Sequence, residues 1–224
     1  ATMKIKHNTA IINDVIIEQN IKQFDPRWIA RGCFNQSKRT WIMNIPKNGS
    51  NSIGRLIAPG NRARPGWQTE ASYTELGDPS DKFIVVLRNP VERFCGSLAQ
   101  HYVNGLEHGK CLPEINDKID SLEWITDKFD DMHVWPQFTY LHGLPWNQCV
   151  FLTMDALPTL SGMIDISADI ENWNITKDND TKYATKKRIQ TIIKTNSRVS
   201  NHVSEYYETD YDMINRAIKH IPHR

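Results

Sequence analysis

Short apolar runs alternate with amphipathic stretches along this chain, and the alternation predicts strands and helices in turn. The continuous apolar, β-branched run 83–87 is typical of a strand buried on both faces. Residues 40–45 and 149–153 are similar short runs that predict two further strands. Helices are predicted over 51–58, 91–103, 121–131, 133–142, 182–195 and 203–220. Residues 10–17 fit a strand or a short helix equally well, and residues 60–81, rich in Gly and Pro, predict a loop with one short strand.

Strands that alternate with helices predict an α/β fold with a mainly parallel central sheet flanked by helices. The length of 224 residues suits one sizeable core, so we predict a single domain over 1–224. In such sheets, ligands bind beyond the carboxyl ends of the strands. Lys47 and Arg88 each follow a predicted strand, and if these strands are neighbours, both cations reach one crevice.

Composition narrows the function classes. The 27 basic and 26 acidic side chains give a formal charge of +1, which argues against a dedicated nucleic-acid binder. No apolar run approaches the roughly 20 residues that span a bilayer, and Asn13, Asp14 and Glu18 interrupt any signal-peptide pattern near the start. The four cysteines show no spacing of a zinc site or disulfide framework. We therefore expect a soluble, cytoplasmic protein without a bound metal.

The segment 41–54 has the order of an anion-binding loop: a short strand, a Lys-Gly-Ser loop and a helix start. Backbone N–H groups at a helix N-terminus point at a negative group, and the helix dipole favours it. Lys47 adds a positive charge, while Ser50, Asn51 and Ser52 add side-chain donors. A phosphate or a sulfate is the expected occupant.

Two motifs in this order resemble those of sulfotransferases. Residues 46–52, Pro-Lys-x-Gly-Ser-x-Ser after a strand, resemble the family's 5′-phosphosulfate loop. Residues 83–94, a strand followed by Arg88, a proline and Arg93, are similar to its 3′-phosphate motif.

Two further segments resemble the carbohydrate-type branch of this family. One is His-x-x-Pro-Gln at 133–137, with Tyr-Leu at 140–141. The other is Tyr-Tyr-Glu-Thr-Asp-Tyr at 206–211. The four matches together span roughly residues 40 to 211.

The resemblance implies a P-loop-like three-layer fold and a donor, 3′-phosphoadenosine 5′-phosphosulfate, whose product is 3′-phosphoadenosine 5′-phosphate. It implies that the phosphosulfate is held by Pro46, Lys47, Asn48, Gly49, Ser50, Asn51 and Ser52. The acceptor is expected to be a hydroxyl of a carbohydrate or a small metabolite. No metal is required by this chemistry.

The 3′-phosphate motif departs from the family at one position. The family places a serine eight residues after the arginine, and that position is Gly96 here, with Ser97 next to it. A shift of one residue moves a side chain about 100° around a helix. Either Ser97 reaches the phosphate after a shift of the helix start, or the Gly96 backbone N–H replaces the hydroxyl.

Both arginines of this segment also have structural interpretations. Arg88 is placed to form an ion pair with Glu92 or Asp81, and Arg93 is as well suited to bracing the fold as to contacting a ligand.

Sulfuryl transfer resembles phosphoryl transfer, so catalysis rests on positioning and on stabilising charge at the leaving oxygen. Lys47 is the expected stabiliser. The acceptor hydroxyl needs a general base. His133 and Glu70 are the first candidates, and the others are Glu75, Asp78 and His101.

Two other functions fit parts of the pattern. A small kinase with a P-loop-like site is disfavoured because the Walker order Gly-Lys-Ser/Thr is absent. A non-catalytic nucleotide-binding module remains open because of Gly96 and the undecided base. The basic residues of 182–198 fit a solvated helix face, or a rim that attracts an anionic donor or an acidic glycan.

Overall fold

A computed structural model of this chain describes residues 25–107, 132–168 and 180–218. These residues form two compact units. The first contains the described residues 25–87, 137–168 and 216–218, and the second contains 88–107, 132–136 and 180–215. The predicted elements at 10–17 and 121–131 lie outside the described residues, and one domain over 1–224 stays a prediction.

The first unit is built on five strands. They are β1 (Arg31–Asn35), β2 (Thr40–Met43), β3 (Trp67–Ser72), β4 (Lys82–Leu87) and β5 (Cys149–Thr153). They form one sheet in the order β3-β1-β2-β4-β5. β1 pairs antiparallel with β2 and with β3, whereas β2 pairs parallel with β4, and β4 with β5.

Seven α-helices lie within the described residues. They are α1 (Ser50–Ile57), α2 (Tyr73–Leu76), α3 (Pro90–Glu107), α4 (Leu160–Met163), α5 (Asp180–Thr195), α6 (Ser197–Tyr206) and α7 (Glu208–Ile218). Short 3-10 turns occur at Pro26–Trp28, Pro59–Asn61, Gln137–Leu141, Trp146–Gln148 and Met154–Thr159. The prediction of an α/β fold is confirmed, and the sheet is mixed.

The mixed character comes from strand β1, which the apolar pattern did not predict. Its five residues contain Gly32 and Asn35, so they lack a strong strand signal. A Cβ at position 32 would lie 2.4 Å from the Ile42 carbonyl oxygen, so only glycine allows this close pairing with β2. Strands β2 and β4 are parallel neighbours, so the strands that precede Lys47 and Arg88 are adjacent, which the sequence had left as a condition.

The core of the first unit lies between the sheet and the apolar face of α1. β4 is buried from Phe83 to Leu87, as the continuous apolar run predicted. Ile53, Leu56 and Ile57 of α1 join the same buried cluster as Ile84. Each such side chain contributes on the order of 1.5–3 kcal/mol when fully buried, so this face fixes α1 on the sheet.

A buried carboxylate connects the amino ends of β2 and β4. Asp81 is 0% exposed and accepts hydrogen bonds from Trp41 Nε1 at 2.7 Å and Arg39 Nε at 2.6 Å. The backbone N–H of Asp78 donates to the same carboxylate at 3.0 Å. A buried charge is tolerated only when it is paired and hydrogen-bonded, and these three donors meet that need.

The second unit is helical, and α3, α5 and α6 share its core. Its buried cluster is Phe94, Cys95, Leu98, Val134, Ile189, Ile193, Val199, Val203 and Tyr207. The predicted helix 91–103 is confirmed as α3, which is longer at both ends, and the predicted helix 182–195 is confirmed as α5, which begins two residues earlier. The predicted helix 203–220 is two helices, α6 and α7, because Tyr207 leaves the helical conformation with φ −103° and ψ 15°.

The predicted helix 133–142 is wrong. Residues 132–135 form turns and a bend, and only a short 3-10 helix follows at Gln137–Leu141. Pro136 explains the difference, because proline has no N–H and disfavours helical backbone at the preceding residue, Trp135.

The predicted strands 40–45, 83–87 and 149–153, the predicted helix 51–58 and the short strand within 60–81 are confirmed as β2, β4, β5, α1 and β3. No helix in the described ranges combines the length and the apolar character needed to cross a membrane.

Replacing Asp81 with alanine is expected to lower the free energy of unfolding by about 1–3 kcal/mol, since the Trp41 indole N–H then stays buried without its acceptor. Urea unfolding measures the loss. Asp165→Ala is the matched control, because Asp165 pairs with Lys38 at 2.7 Å but its side chain is 78% exposed. Exposed pairs contribute little, so equal losses in both variants would contradict the role of Asp81.

Candidate functional site

The loop after β2 forms the amino end of α1. Lys47 and Gly49 both adopt the left-handed conformation, with φ 68° and φ 79°. Gly49 occupies the cap position of α1 and has no side chain to accept from the first helical N–H groups, and the first turn holds no acidic residue. These N–H groups lack partners inside the helix, so this end of α1 is suited to a negative group.

Lys47 is the unusual residue of the loop. A non-glycine residue at positive φ costs on the order of 1–2 kcal/mol and persists only where its surroundings hold it. Lys47 is half-buried and lies two residues before the Gly49 cap position of α1, where no side chain caps the helix. Strain of this kind concentrates at functional sites.

Asn48 holds the loop to the sheet. Its side chain is 1% exposed, and Nδ2 donates to the Val86 carbonyl oxygen at 2.7 Å and to Gln137 Oε1 at 2.5 Å. Asn48 Oδ1 is buried and has no hydrogen-bond partner in the described part of the chain. The amide therefore fixes the loop against the carboxyl end of β4.

Gln137 has a role in the loop that the sequence did not predict: its side chain accepts a hydrogen bond from Asn48. It is 0% exposed, and its side chain receives the Asn48 amide. The resemblance of 133–137 to a family motif was the only signal in the sequence that pointed to it. Its partner lies 89 positions earlier, so no local pattern joins the two residues.

Gly49 is required at its position for two reasons. Its φ of 79° disfavours any side chain, and a Cβ there would lie 2.8 Å from Leu157 Cδ2. The 3-10 turn Met154–Thr159 therefore packs directly against the loop.

The remaining predicted loop residues lie together around the start of α1. Pro46 and Ser52 are buried, Ser50 is half-buried, and Asn51 is exposed. The structure thus brings all seven predicted residues of 46–52 into one loop and helix turn.

Glu70 lies in a bulge of the edge strand β3. Ala71 pairs with Gly32, which pairs with Met43 at the end of β2. The backbone of Glu70 therefore lies about two strand spacings, roughly 10 Å, from that end. Thr69 and Glu70 together oppose one residue of β1, and Glu70 has φ 56°. Bulges of this kind redirect side chains and are frequent next to active sites.

The charge of Glu70 acts on a neighbouring thiol. Burial, together with the smaller effect of the negative charge of Glu70, raises the pKa of the Cys33 thiol to about 11. The Glu70 side chain itself is exposed.

In the second unit, Arg88 is a largely buried cation. Its side chain is 15% exposed, and its Nε lies 3.9 Å from Glu92 Oε2, one of the two ion pairs that the sequence suggested. Burial lowers the pKa of Arg88 from its usual value, and the charge of Glu92 opposes that effect. A Cβ on Gly96 would lie 4.0 Å from Arg88 Nη1 and within 4 Å of nothing else. The position eight residues after the arginine therefore faces its guanidinium.

The Ser97 hydroxyl is used inside the protein. Ser97 is 2% exposed, and Oγ lies 2.9 Å from the Arg93 carbonyl oxygen and 2.6 Å from that of His133. A hydroxyl has one proton to donate. Since the two carbonyls receive this proton, the Ser97 hydroxyl has none to donate to a ligand, and Gly96 is the position that faces the Arg88 guanidinium.

Three consecutive carbonyls of 133–135 each accept a hydrogen bond of 2.6 Å from a buried side chain. Ser97 Oγ donates to that of His133, the Tyr207 hydroxyl to that of Val134, and Arg93 Nη1 to that of Trp135. Arg93, 0% exposed, thus braces this segment. The half-buried His133 therefore lies in a backbone segment that three buried side chains hold in place.

The other candidate bases have less suitable positions. Asp78 precedes β4 and donates its backbone N–H to Asp81. It therefore lies at the amino end of β4, whereas the loop that contains Lys47 follows the carboxyl end of the parallel strand β2. Glu75 is exposed on α2, and His101 is half-buried on α3. In the described residues, no group of three or more His, Cys, Asp or Glu side chains is arranged to hold a metal ion.

A scan against protein-family models and searches among curated proteins and solved structures each found no match to this chain. The family resemblance therefore rests on the motif residues, and it stays a prediction.

Replacing Asn48 with alanine is expected to lower the free energy of unfolding by about 1–3 kcal/mol, because two buried acceptors lose their donor. Asn51→Ala is the matched control, since it removes the same side chain from an exposed position in the same loop. Thermal unfolding of both variants measures the difference. Equal stability of the two variants would show that the Asn48 amide does not hold the loop.

Glycine-to-alanine changes at two nearby positions are expected to have opposite signs. Gly49→Ala combines positive φ with a 2.8 Å approach to Leu157, so it should destabilise the protein. Gly54→Ala in the interior of α1 meets nothing within 4 Å and should stabilise it by up to about 1 kcal/mol. Denaturant midpoints test this, and a neutral Gly49→Ala would refute the geometry of the loop.

Proposed function

We propose that this protein is a sulfotransferase that moves the sulfuryl group of 3′-phosphoadenosine 5′-phosphosulfate to an acceptor hydroxyl. The observation that carries the proposal is the loop of residues 46–49, the Lys47 loop. In it a lysine at positive φ precedes Gly49, the cap position of α1, which has no side-chain cap and no acidic residue in its first turn. Such an end binds a compact multivalent anion through backbone N–H groups.

The parallel half of the sheet, β2, β4 and β5, supports a P-loop-like interpretation of the fold. In P-loop proteins a strand leads into a phosphate-binding loop and then a helix, and β2, the Lys47 loop and α1 have that order. The antiparallel strands β1 and β3 then extend this core on one side.

The donor carries two separate anionic groups. The phosphosulfate suits the Lys47 loop, with its backbone donors and the hydroxyls of Ser50 and Ser52. The 3′-phosphate suits Arg88, a guanidinium that burial has partly stripped of water. Gly96 leaves room beside this guanidinium.

The chemistry is an in-line displacement at sulfur. The acceptor oxygen forms a bond to sulfur, the bond from sulfur to the bridging phosphate oxygen breaks, and the hydroxyl proton passes to a general base. Negative charge builds on the leaving oxygen, and the Lys47 ammonium stabilises it there. 3′-Phosphoadenosine 5′-phosphate is the second product.

Glu70 and His133 are the proposed general bases. The bulge and positive φ at Glu70 project an exposed carboxylate from the edge strand. The three hydrogen bonds to the carbonyls of 133–135 give His133 a rigid backbone, which suits a positioned base. Glu70→Gln and His133→Asn, assayed for transfer, distinguish the two, since loss of the true base lowers turnover more than donor affinity.

The proposal predicts that 3′-phosphoadenosine 5′-phosphate stabilises the protein against heat. A ligand at a hundredfold excess over its dissociation constant adds about 2.7 kcal/mol by mass action. Lys47→Ala should weaken binding of the donor nucleotide by about 1.5–3 kcal/mol, the usual contribution of a hydrogen bond to a charged group. Differential scanning fluorimetry with a nucleotide titration measures both effects.

Lys38→Ala is the control, because Lys38 is an exposed lysine paired with Asp165. Stabilisation by ATP with magnesium and none by the 3′-phosphorylated nucleotide would favour a kinase and overturn the proposal. Nucleotide binding without transfer to any panel of carbohydrate or small-molecule hydroxyls would favour the non-catalytic module.

A further inference from the structure

A buried 3-10 turn of the first unit carries Gln137, the partner of Asn48. All five side chains of the turn are buried: Gln137, Phe138, Thr139, Tyr140 and Leu141. The turn is attached to the sheet, because the backbone N–H of Ala30, which precedes β1, donates to the Tyr140 carbonyl oxygen at 2.9 Å. The place of Gln137 is therefore set by the core of this unit and by a bond to the sheet.

Two acceptors decide which way the Asn48 amide points. The Val86 carbonyl oxygen and Gln137 Oε1 both accept from Asn48 Nδ2, at 2.7 and 2.5 Å. Only the NH2 group of the amide can face two acceptors. Asn48 Oδ1 is therefore turned away from both, and it is buried without a hydrogen-bond partner in the part of the chain that the structure describes. Because an unpaired buried acceptor is costly, this orientation depends on both bonds.

The orientation of Asn48 affects the preceding residue, Lys47. The backbone N–H of Asn48 donates to the Ile45 carbonyl oxygen at 3.1 Å, which closes a turn with Pro46 and Lys47 at its centre. Lys47 has φ 68°, and the second central position of a turn normally needs glycine for a positive φ. The held side chain of Asn48 fixes one end of this strained residue. Loss of one of its bonds allows the backbone at Lys47 to relax, and the ammonium moves with it.

We propose that Gln137 is a positioning residue for the Lys47 ammonium and acts through the Asn48 amide. The inference rests on the proposed function, in which that ammonium stabilises the charge that builds on the leaving oxygen. Gln137 is 0% exposed, so it acts without touching donor or acceptor. A displacement of about 1 Å at a reacting centre can cost on the order of a hundredfold in rate, so a distant side chain that fixes the cation has a large effect.

This role predicts a defect in turnover rather than in donor binding. The N–H groups at the start of α1 remain available to the phosphosulfate when Lys47 shifts, and a displaced ammonium still attracts the bound donor. The ammonium matters most where negative charge develops in the transition state. Loss of Gln137 Oε1 is therefore expected to lower kcat and to leave the KM for the donor nearly unchanged.

The test measures release of 3′-phosphoadenosine 5′-phosphate from 3′-phosphoadenosine 5′-phosphosulfate by the full chain, with and without a panel of hydroxyl acceptors. Gln137→Met removes the acceptor oxygen and keeps a side chain of similar length. It should lower kcat about tenfold or more and change the KM for the donor less than about threefold. Gln137→Glu keeps an oxygen acceptor at the same position, so it should retain most of the turnover. A glutamate variant as slow as the methionine variant would contradict the role of the acceptor.

A double-mutant cycle isolates the contact with Asn48 from every other contact of Gln137. If Gln137 acts through the Asn48 amide, Gln137→Met has no further effect once Asn48 is replaced by alanine. The double variant should then match Asn48→Ala in kcat within about twofold. Independent effects of the two changes, which multiply in kcat, would overturn the inference.

Two control variants separate positioning from general stability. Thr139→Val, in the same turn, replaces a buried hydroxyl that has no hydrogen-bond partner in the described residues, so it should leave kcat and KM unchanged. Asp81→Ala removes the buried acceptor of Trp41 at the opposite end of β4 and is expected to be destabilising. Assayed well below its melting temperature, Asp81→Ala should keep its turnover. A loss of kcat as large as that of Gln137→Met would show that both changes act through stability alone.

The outcomes distinguish this inference from the proposed function. Wild-type protein that releases the product, together with an unchanged kcat in Gln137→Met, overturns the positioning role and leaves the function standing. Wild-type protein that releases no product with any acceptor overturns the function, and the inference with it. Thermal unfolding verifies that each variant folds. If Gln137→Met does not fold, Gln137→Leu, which also lacks the acceptor, takes its place in the same measurements.

Discussion

The hydrogen bonds of one buried amide, that of Asn48, hold the candidate anion loop in place. Its two protons bind the carbonyl oxygen of Val86 and the side chain of Gln137, so a single side chain connects the loop after β2, the end of β4 and a segment far away in sequence. In a buried environment each of these groups would be costly without its partner. The strained backbone at Lys47 persists because its immediate neighbour cannot move without breaking both bonds.

In the second unit, hydrogen bonds to backbone carbonyls hold a non-helical segment in place. The carbonyls of 133–135 all accept hydrogen bonds from buried side chains. Two of these side chains belong to α3, and the third is Tyr207, the residue that follows α6. Pro136 prevents a helix here, so these carbonyls cannot be satisfied by helical hydrogen bonds. Arg93, Ser97 and Tyr207 replace those bonds one by one. The three side chains thus have a structural reason for being where they are, whatever ligand the unit binds.

The local distribution of charge matters for the proposed anion binding, because the charges of the whole chain nearly balance. The formal charge is only +1, so there is no general attraction for polyanions. The proposal depends instead on local features: the end of α1 at Gly49, which has no side-chain cap, and the largely buried cation Arg88. Both are sources of positive potential at the proposed anion sites, and burial of Arg88 strengthens its effect by removing water.

The sequence by itself determined the features that depend on neighbouring residues: the buried strand β4 and the order of β2, loop and α1. Apolar periodicity is a local property, so it can be read along the chain. The tertiary structure alone decided that β1 and β3 make the sheet mixed, that the Ser97 hydroxyl points to His133, and that Gln137 receives Asn48. The Ser97 and Gln137 contacts join residues 36 and 89 positions apart, and the mixed sheet depends on β1, whose sequence gives only a weak strand signal. No local pattern encodes such pairings, because they are selected by the packing of the whole core and by the requirement that every buried polar group find a partner.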